Sequence, residues 1–406
     1  MKVVTEKLIP ELRFPGFSGE WEEKKLGDVS YDYSYGMNSA ADKFDGINKY
    51  IRITDIDEKT NNYNQSDLVS PKNKIEDKYL LDVGDLLFAR TGASVGKSYY
   101  YKNEDGKVYY AGFLIRFRIK KEFDYRFIFY NTLTSSYSNW VKIMSVRSGQ
   151  PGINAKEYSS MNIAIPSLEE QKKIANFFHS IDKKLQLQKK KIGKLKEYKK
   201  SMMQRIFSQE IRFKDENGND YPEWEEKKIG DVLIEVNNKS SNCNLRVLSS
   251  TIDGVYYQDK YFKNRIASSD TSNYKILKIN QIVFSPQNIW MGNINFNDSI
   301  DIGIVSPSYK ILEVNGEFDK LFIKYLIKTP RLIYEYKNSS EQGASVVRRN
   351  LNMKLFNNIK VEIPLKEEQT KIANFLSSID KKISLEEGKL QMQEEYKRGL
   401  MQRMFI

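Results

Sequence analysis

The sequence predicts an α+β protein of two tandem, pseudo-symmetric halves, each a globular region followed by one long helix. Two repeated segments indicate this organisation. Pro166-Ser-Leu-Glu-Glu-Gln-Lys-Lys-Ile-Ala-Asn-Phe returns as Pro364-Leu-Lys-Glu-Glu-Gln-Thr-Lys-Ile-Ala-Asn-Phe, in a register that holds without a gap to the end of the chain. Trp21-Glu-Glu-Lys-Lys-Leu-Gly-Asp-Val returns at Trp224. We therefore expect globular regions at 1–165 and 209–363, and repeat helices at 166–208 and 364–406.

Composition narrows the class of protein. Of 406 residues, 40% are hydrophobic and 13% aromatic, which is typical of folded domains rather than disordered chains. No apolar run approaches the roughly 18 residues of a membrane span, and the N-terminal residues lack the apolar core of a signal peptide. The single cysteine, Cys243, and the single histidine, His179, exclude a disulfide framework and a zinc cluster. We expect a cytoplasmic protein with no membrane segment.

The repeated segments predict long helices with a coiled-coil seam, because apolar residues recur every three or four positions. The first copy has Ile174, Phe177, Phe178, Ile181, Leu185, Ile192, Leu195, Met202 and Ile206, and the second has Ile372, Phe375, Leu376, Ile379, Ile383, Leu390, Leu400 and Met404. A helix of about 60 Å cannot bury such a seam alone, so we expect an antiparallel pair. Polar residues at seam positions indicate that this seam is not a dry core and leave it open to helices of another subunit: Gln188, Lys199, Glu386, Gln393 and Lys397.

The net charge of +12 favours an anionic partner. Most of the excess lies on the first repeat helix, where residues 168–207 hold 12 basic and 4 acidic side chains. Two interpretations remain open for this helix. Its lysines either form a solvated face, or they lie near phosphates or the acidic surface of a partner.

Each globular region predicts a mixed α+β domain. Short apolar runs bounded by turn residues indicate strands, as at Tyr50-Ile-Arg-Ile, Gly84-Asp-Leu-Leu-Phe-Ala-Arg and Gly112-Phe-Leu-Ile-Arg-Phe-Arg-Ile in the first region. The second region has Gln281-Ile-Val-Phe and Ile302-Gly-Ile-Val in the same role. The aromatic segments that begin at Tyr125 and Phe318 are predicted to be helices packed on the core.

The familiar catalytic motifs are absent or poorly formed. Gly92-Ala-Ser-Val-Gly96-Lys97-Ser98 is one residue shorter than a phosphate-binding loop and runs into a predicted strand, so we interpret it as a turn between strands. Ser285-Pro-Gln-Asn-Ile-Trp290 lacks the second proline of an amino-methyltransferase motif. Glu225-Glu-Lys fits part of a nuclease motif, but its copy at Glu22 favours a structural role. The pattern predicts a binding protein without catalytic residues.

Segments next to both helices carry a family resemblance. Arg147-Ser-Gly-Gln-Pro-Gly-Ile-Asn154 leads into Asn162-Ile-Ala-Ile-Pro-Ser-Leu-Glu-Glu-Gln, and Gln342-Gly-Ala-Ser-Val-Val-Arg-Arg-Asn leads into Ile359-Lys-Val-Glu-Ile-Pro-Leu-Lys-Glu-Glu-Gln. With the segment at Gly84, they closely resemble the specificity subunit of type I restriction–modification systems over nearly the whole chain. The second half departs from the pattern, since it lacks an Arg-Ser-Gly-Gln-Pro loop.

The resemblance implies that each globular region is a target recognition domain. Each would read one half of a bipartite, asymmetric site in double-stranded DNA. The helices would set the spacer between the half-sites and dock two methyltransferase subunits, which restriction and translocase subunits would join. No cofactor or metal is expected on this chain, because S-adenosylmethionine, ATP and Mg would be bound by those partners.

Polar residues of the loops are the candidates for DNA contact, because Arg, Asn and Gln read base edges while Lys, Ser and Thr hold phosphates. In the first half they are Arg90, Thr91, Ser94, Lys97, Arg147, Ser148, Gln150 and Asn154. In the second half they are Gln287, Asn288, Trp290, Ser345, Arg348, Arg349, Asn350 and Asn352. For each of them the alternative is an ordinary exposed loop residue.

Three other functions compete with this interpretation. A stand-alone, repressor-like DNA-binding protein would bind its site tightly without partners. An enzyme with a hidden site would turn over substrate by itself, and a structural scaffold would show no DNA sequence preference. The nearly neutral globular regions argue against the first, because phosphate contacts usually supply much of the affinity for DNA.

Overall fold

The computed structural model describes residues 7–239, 245–262, 270–342 and 349–406. Contacts divide the chain into two compact units. Unit 1 comprises Met1–Lys189 and Gly388–Ile406, and unit 2 comprises Lys190–Glu387. Each unit therefore contains one globular region together with one part of each long helix. The boundaries expected at residues 165, 208 and 363 cut the chain differently, and they remain a prediction.

Unit 1 holds ten strands and parts of the first long helix among its described residues. The strands are β1 (Glu22–Lys25), β2 (Ser30–Tyr35), β3 (Ala41–Lys43), β4 (Lys49–Ile51), β5 (Val69–Pro71), β6 (Asp85–Ala89), β7 (Ser98–Tyr100), β8 (Val108–Tyr110), β9 (Leu114–Ile119) and β10 (Asn162–Ile165). The helices are α1 (Tyr125–Asn131), α2 (Ser135–Met144), α3 (Ala155–Ser159) and α4 (Leu168–Phe207), the last of which continues into unit 2.

The main sheet of unit 1 has the order β2-β9-β6-β7 and is antiparallel throughout. Its alternating pattern sends Phe88 and Phe117 into the core that α1 covers, where Phe127 is fully buried. Leu87 and Leu114 point instead into a second core beneath the 36–80 segment. The predicted strands and the core-packed aromatic helix are thus confirmed, with the third strand beginning at Leu114 rather than at Gly112.

Unit 2 repeats this framework. Its strands are β11 (Glu225–Lys228), β12 (Leu233–Val236), β13 (Leu248–Ser250), β14 (Val255–Tyr257), β15 (Lys275–Lys278), β16 (Ile282–Phe284), β17 (Ile294–Phe296), β18 (Ile302–Val305), β19 (Lys310–Val314), β20 (Ser340–Gln342), β21 (Arg349–Leu351) and β22 (Lys360–Ile363). Its helices are α5 (Ile229–Val232), α6 (Gln258–Tyr261), α7 (Lys320–Leu326), α8 (Pro330–Asn338), α9 (Met353–Asn357) and α10 (Lys366–Met404), the last of which continues into unit 1.

The two units match in topology beyond their sequence echoes. The main sheet of unit 2 has the order β12-β19-β16-β17, the counterpart of β2-β9-β6-β7. Asp124 and Asp319 cap α1 and α7 by accepting backbone N–H bonds, and Thr134 and Thr329 cap α2 and α8 in the same way. Because caps fix where helices start, these four residues reproduce the same helix pair in both units.

The repeated Glu-Glu-Gln sequence anchors each long helix to its globular region. In unit 1, Gln171 donates to the carbonyl of Pro166 (2.8 Å) and accepts the N–H of Asp124 (3.0 Å). Glu170, which is 1% exposed, forms two hydrogen bonds of 2.7 Å with Arg13. The carboxylate of Glu170 is thus compensated by a buried ion pair, in addition to lying in the first turn of the helix.

Unit 2 has the same junction. Gln369 donates to Pro364 O and accepts from Asp319 N–H, both at 2.8 Å, while Glu368 pairs with Arg212 at 2.8 Å. Arg13 and Arg212 lie outside the repeated helix segments that suggested the duplication. The similarity of the two units therefore includes these arginines, which precede the repeated Trp-Glu-Glu sequence in each half.

The α4 and α10 segments run antiparallel inside each unit. In unit 1, Lys397 pairs with Asp182 and Lys189 pairs with Glu394, so that residue numbers rise on one helix as they fall on the other. The predicted seam is buried at Ile174, Phe178, Leu185, Ile192 and Ile206 on α4, and at Ile372, Leu376, Ile379, Ile383, Leu400 and Met404 on α10. The predicted α+β fold with an antiparallel helix pair is confirmed.

The polar seam residues form matching clusters. In unit 1, Asp182 accepts a hydrogen bond from Tyr130 (2.9 Å) and the ion pair from Lys397, whose ammonium lies 5.5 Å from the centre of the tyrosine ring. In unit 2, Asp380 accepts from Tyr325 (2.8 Å) and pairs with Lys199 (2.6 Å). The lysines that interrupt the apolar seam thus have carboxylate partners, which explains why the seam is not dry.

Acidic side chains of α10 also pair with part of the excess positive charge on α4. Besides Lys189, Lys191 pairs with Glu386 (3.0 Å) and Lys196 with Glu387 (2.7 Å) in unit 2. Charge pairs beside a seam favour one helix partner over another. A lysine-rich α4 and a glutamate-bearing α10 therefore complement each other better than two α4 helices or two α10 helices would.

Among the described residues, no helix combines the length and the apolar character that a membrane span needs.

Replacing Asp182 by Ala should lower the free energy of unfolding by about 1–3 kcal/mol, because the buried hydroxyl of Tyr130 and the ammonium of Lys397 lose their acceptor. Urea unfolding followed by circular dichroism measures this change. Tyr130→Phe is the matched control, since it keeps the ion pair, and it should cost less. An Asp182→Ala variant as stable as the unmodified chain would show that the cluster does not hold the helices together.

Candidate nucleic-acid interface

Two separate segments of unit 1 converge at one end of its main sheet. The connection between β6 and β7 lies against the loop that precedes α3, where Ile153 N–H donates to Arg90 O and Gly92 N–H to Pro151 O, both at 2.9 Å. Thr91 and Gly152 form an isolated antiparallel bridge. We call residues 90–97 and 145–154 loop pair 1. All eight candidates of the first half lie on it.

The glycine-rich segment at Gly92 is a turn between two strands, as predicted. A single 3-10 turn, Gly92–Ser94, joins β6 to β7, and Ser98 enters β7 directly. Gly92 has a φ of +69°, and a Cβ there would lie 2.8 Å from Nε2 of Gln150. The positive φ favours glycine at this position, whereas the exposed end of the Gln150 side chain could move away from an added Cβ.

Two cationic candidates of loop pair 1 already have carboxylate partners. Arg147 donates to both oxygens of Glu157, at 2.6 and 2.7 Å, and also to the carbonyls of Met144 and Val146. Lys97 lies 3.1 Å from Glu58. Before either side chain could contact DNA fully, it would have to exchange these partners. Their charge is therefore less available than the sequence suggests.

Arg90 is arranged differently. Its guanidinium carbon lies 4.9 Å from the ring centre of Tyr35, a cation–π distance. Within the described ranges, no carboxylate lies in ion-pairing distance of Arg90. Tyr35 is 42% exposed, and its hydroxyl accepts the N–H of Ala155 at 3.2 Å, which fixes the ring at the start of α3.

Sequence reasoning missed Tyr35. A signal for it exists, because Tyr31, Tyr33 and Tyr35 alternate along β2 and would share one face of a strand. All three rings are at least 40% exposed. The proximity of Tyr35 to Arg90 could not be read from the sequence, since it depends on which strands pair.

The remaining candidates of loop pair 1 differ in their hydrogen bonding and in their exposure to solvent. Asn154 is the N-cap of α3: its side-chain oxygen accepts the N–H of Glu157 at 3.0 Å, which leaves only its amide donors for another contact. Ser148 and Gln150 are exposed, whereas Thr91 and Ser94 are half-buried. Tyr99, Tyr100 and Tyr101, which follow the first segment of loop pair 1, are buried, and burial raises the pKa of each hydroxyl.

Unit 2 brings together the corresponding segments. Leu351 N–H donates to Pro286 O (3.3 Å), which joins the connection after β16 to β21. The guanidinium carbon of Arg349 lies 5.6 Å from the ring centre of Trp290, whose indole N–H donates to Gln287 O at 3.2 Å. We call residues 286–292 and 349–352 loop pair 2.

The other candidates of the second half can be placed in part. Asn288 is half-buried and Asn350 is exposed on β21, while Asn352 caps α9 through the N–H of Lys354 at 3.1 Å. Ser345 and Arg348 lie outside the described residues, as does Cys243. No group of three or more His, Cys, Asp or Glu side chains in the described part of the chain is arranged to hold a metal ion.

Comparison with known proteins decides the family. A family model described as the type I restriction modification DNA specificity domain matches the chain twice, over residues 18–197 and 221–394. The chain belongs to this family. Each matched specificity domain contains one loop pair and the first part of one repeat helix.

Known relatives align over nearly the whole chain. The type I restriction enzyme MjaVIII specificity subunit of Methanocaldococcus jannaschii is 24% identical and the alignment covers 94% of this chain and 91% of the relative. A second protein of that organism, the putative type I restriction enzyme MjaX specificity subunit, is 25% identical, with 94% and 92% covered.

Solved structures share the fold. The S subunit of a type I restriction-modification system from M. genitalium aligns with a TM-score of 0.60 at 16% identity, over 98% of this chain and 99% of that chain. A chain from a structure concerned with complex assembly and conformational transition of the type I R-M system aligns with a TM-score of 0.53 at 14% identity, over 97% and 98%. The duplicated α+β framework is thus the fold of specificity subunits.

Two substitutions of Asn154 should separate its capping role from DNA contact. Asn154→Ala should lower the free energy of unfolding by about 0.5–2 kcal/mol, because α3 loses its cap. Asn154→Ser keeps a capping oxygen and should leave stability nearly unchanged while removing the amide donors. Urea unfolding compares the two variants, and a Ser variant as unstable as the Ala variant would contradict the capping role.

Proposed function

We propose that this chain is the DNA sequence-specificity subunit of a type I restriction–modification complex, and that each unit reads one half of a bipartite site. The observation that carries the proposal is the presence of a loop pair with arginine, asparagine and glutamine side chains in each of the two specificity domains. These are the side chains whose donors and acceptors match base edges in the major groove. Family membership favours this function over a stand-alone repressor.

The differences between the units support an asymmetric site. The two main sheets share their strand order but differ in the contacts that the side chains of the edge strand make. In unit 1, Tyr33 stacks on Phe117 with ring centres 5.2 Å apart, whereas on the equivalent edge strand of unit 2 Glu235 pairs with Lys310 at 2.6 Å. Two loop pairs of unlike composition on one framework suit two unlike half-sites.

The helices provide a surface for partner subunits. Leu187 on α4 and its copy Leu385 on α10 are 60% and 59% exposed, and Tyr198 and its copy Tyr396 are 49% and 64% exposed. Large apolar side chains kept outward in both copies are characteristic of protein interfaces. We infer that they help to dock two methyltransferase subunits, one on each copy.

The chemistry is assigned to those partners. We infer that this chain is non-catalytic, that methyl transfer from S-adenosylmethionine takes place on the methyltransferase subunits, and that ATP and Mg act on the restriction and translocase subunits. A single cysteine among 406 residues supports a location in the reducing cytoplasm.

The full chain, purified with a type I methyltransferase subunit, should select a two-part motif from a library of random DNA duplexes. We expect two short specified sequences that differ from each other and are separated by a fixed number of unspecified base pairs. Sequencing of the bound duplexes measures this. Selection of a single uninterrupted motif, or equal binding by the chain without its partner, would favour the repressor-like alternative.

Lengthening both helices should change the number of base pairs in the spacer without changing the sequences of the two half-sites. One heptad inserted within 181–200 and the matching heptad within 379–398 preserves the seam register, so the helices still pair. The same duplex selection then reports the motif. A heptad inserted in only one helix is the control and should impair folding, since the charge pairs no longer match. Altered half-sites with an unchanged spacer would contradict a spacing role for the helices.

A further inference from the structure

We propose that each unit reads a guanine with one arginine that is held on an aromatic ring: Arg90 on Tyr35 in unit 1, and Arg349 on Trp290 in unit 2. Each half of the DNA site would then contain a G·C pair at the position that this arginine contacts. The inference rests on the proposed function and extends it, because it names the base and the side chain that reads it.

The first observation is the difference in charge compensation among the cations of loop pair 1. Arg147 makes two hydrogen bonds to Glu157, and Lys97 pairs with Glu58. Arg90 has no carboxylate partner among the described residues, although it lies at the junction of the two loops. Two hydrogen bonds fix its backbone there. The N–H of Arg90 donates to Phe113 O (3.0 Å), and its carbonyl oxygen accepts from the N–H of Ile153 (2.9 Å). Arg90 is therefore the cation whose charge is least compensated.

The second observation is the way in which Tyr35 holds this side chain. The ring supports the guanidinium at 4.9 Å and is itself tied to α3 through its hydroxyl. Stacking holds the planar group while its five N–H donors stay available at the edge. Less side-chain freedom then remains to be lost when DNA binds. Tyr35 acts in this arrangement as a positioning residue.

The third observation is that unit 2 reaches the same arrangement from other parts of its sequence. In unit 1 the arginine belongs to the first member of the loop pair, and the ring to the edge strand. In unit 2 the ring, Trp290, belongs to the first member and Arg349 to the second. Arg349 has two long hydrogen bonds of 3.4 Å, to Lys337 O and Ser340 O, and no carboxylate in ion-pairing distance within the described ranges.

Guanine is the base that matches this chemistry. Its N7 and O6 offer two adjacent acceptors in the major groove, and an arginine fork binds both at once. A thymine or cytosine at that position does not offer the same pair of acceptors. A phosphate would also accept two hydrogen bonds, but a phosphate contact would not depend on the base sequence.

The test uses the purified complex of the full chain with its methyltransferase subunit and a library of duplexes in which every base pair of the selected motif is varied. Arg90→Ala should lower discrimination at one G·C pair of one half-site by about ten- to a hundredfold and leave the other half-site unchanged. Arg349→Ala should do the same in the other half. Arg90→Lys should keep binding to the library while weakening that discrimination, because an ammonium lacks the planar fork of the guanidinium.

Variants of the aromatic residue and distant arginines complete the design. Tyr35→Phe keeps the ring but loses the hydroxyl that ties it to α3, so it should weaken discrimination at the same base pair less than Tyr35→Ala does. Tyr35→Ala should loosen the base pair that Arg90→Ala loosens. The controls Arg403→Ala in unit 1 and Arg331→Ala in unit 2 remove exposed arginines that are not part of either loop pair and that pair with Glu11 and Glu362. Neither control should alter discrimination at any base pair.

Three results would overturn the inference. The first is a half-site without a G·C pair. The second is an Arg90→Ala or Arg90→Lys variant that binds all duplexes equally less well with an unchanged motif, which would assign the arginine to phosphate. The third is loss of the methyltransferase from the Tyr35→Ala complex, which would assign this patch to a protein interface. If the unmodified complex selects no two-part motif at all, the proposed function fails first, before any variant is compared.

Discussion

The junction between each globular region and its long helix is the contact on which the rest of the structure depends. A buried glutamine links the start of each long helix to the N-cap residue of α1 or α7. A buried glutamate beside it pairs with an arginine from the segment that precedes the repeated Trp-Glu-Glu sequence. An unpaired carboxylate at such a site costs several kcal/mol, so the glutamate must be buried together with its arginine partner when the glutamine takes its place. The junction thereby fixes the direction of a long helix relative to a small sheet, and the loop pairs are placed at a defined end of that sheet.

A second constraint comes from the helix pair. Each unit contains parts of both helices, so neither globular region is complete without residues from the distant end of the chain. Phe405, for example, stacks on Phe127 in unit 1 with ring centres 5.2 Å apart. The Tyr-Asp-Lys clusters add direction to the apolar seam, because a carboxylate on one helix must meet a lysine on the other. These contacts matter for the proposed function, because side chains that read bases bind less well when the structure supporting them moves.

Much of the framework could be predicted because duplication leaves a pattern in the sequence. The two copies of the Glu-Glu-Gln segment and the spacing of apolar residues along the repeat helices were legible from residue type and interval. What could not be predicted were partnerships across long sequence distances. Arg147 was a candidate for DNA contact with no sign that Glu157 holds it. Lys199 and Lys397 were expected at polar seam positions without their respective partners, Asp380 and Asp182, being evident. Tyr35 went unnoticed because its importance depends on the pairing of β2 with β9.

The measurement that tests the account most directly is genome-wide mapping of adenine methylation in cells that carry this chain with a methyltransferase subunit, compared with cells that carry the methyltransferase alone. If this chain is the specificity subunit, new methylation should appear at one asymmetric motif made of two specified parts with a fixed gap between them. Identical methylation in both kinds of cell, with binding of the chain to the methyltransferase established, would contradict it.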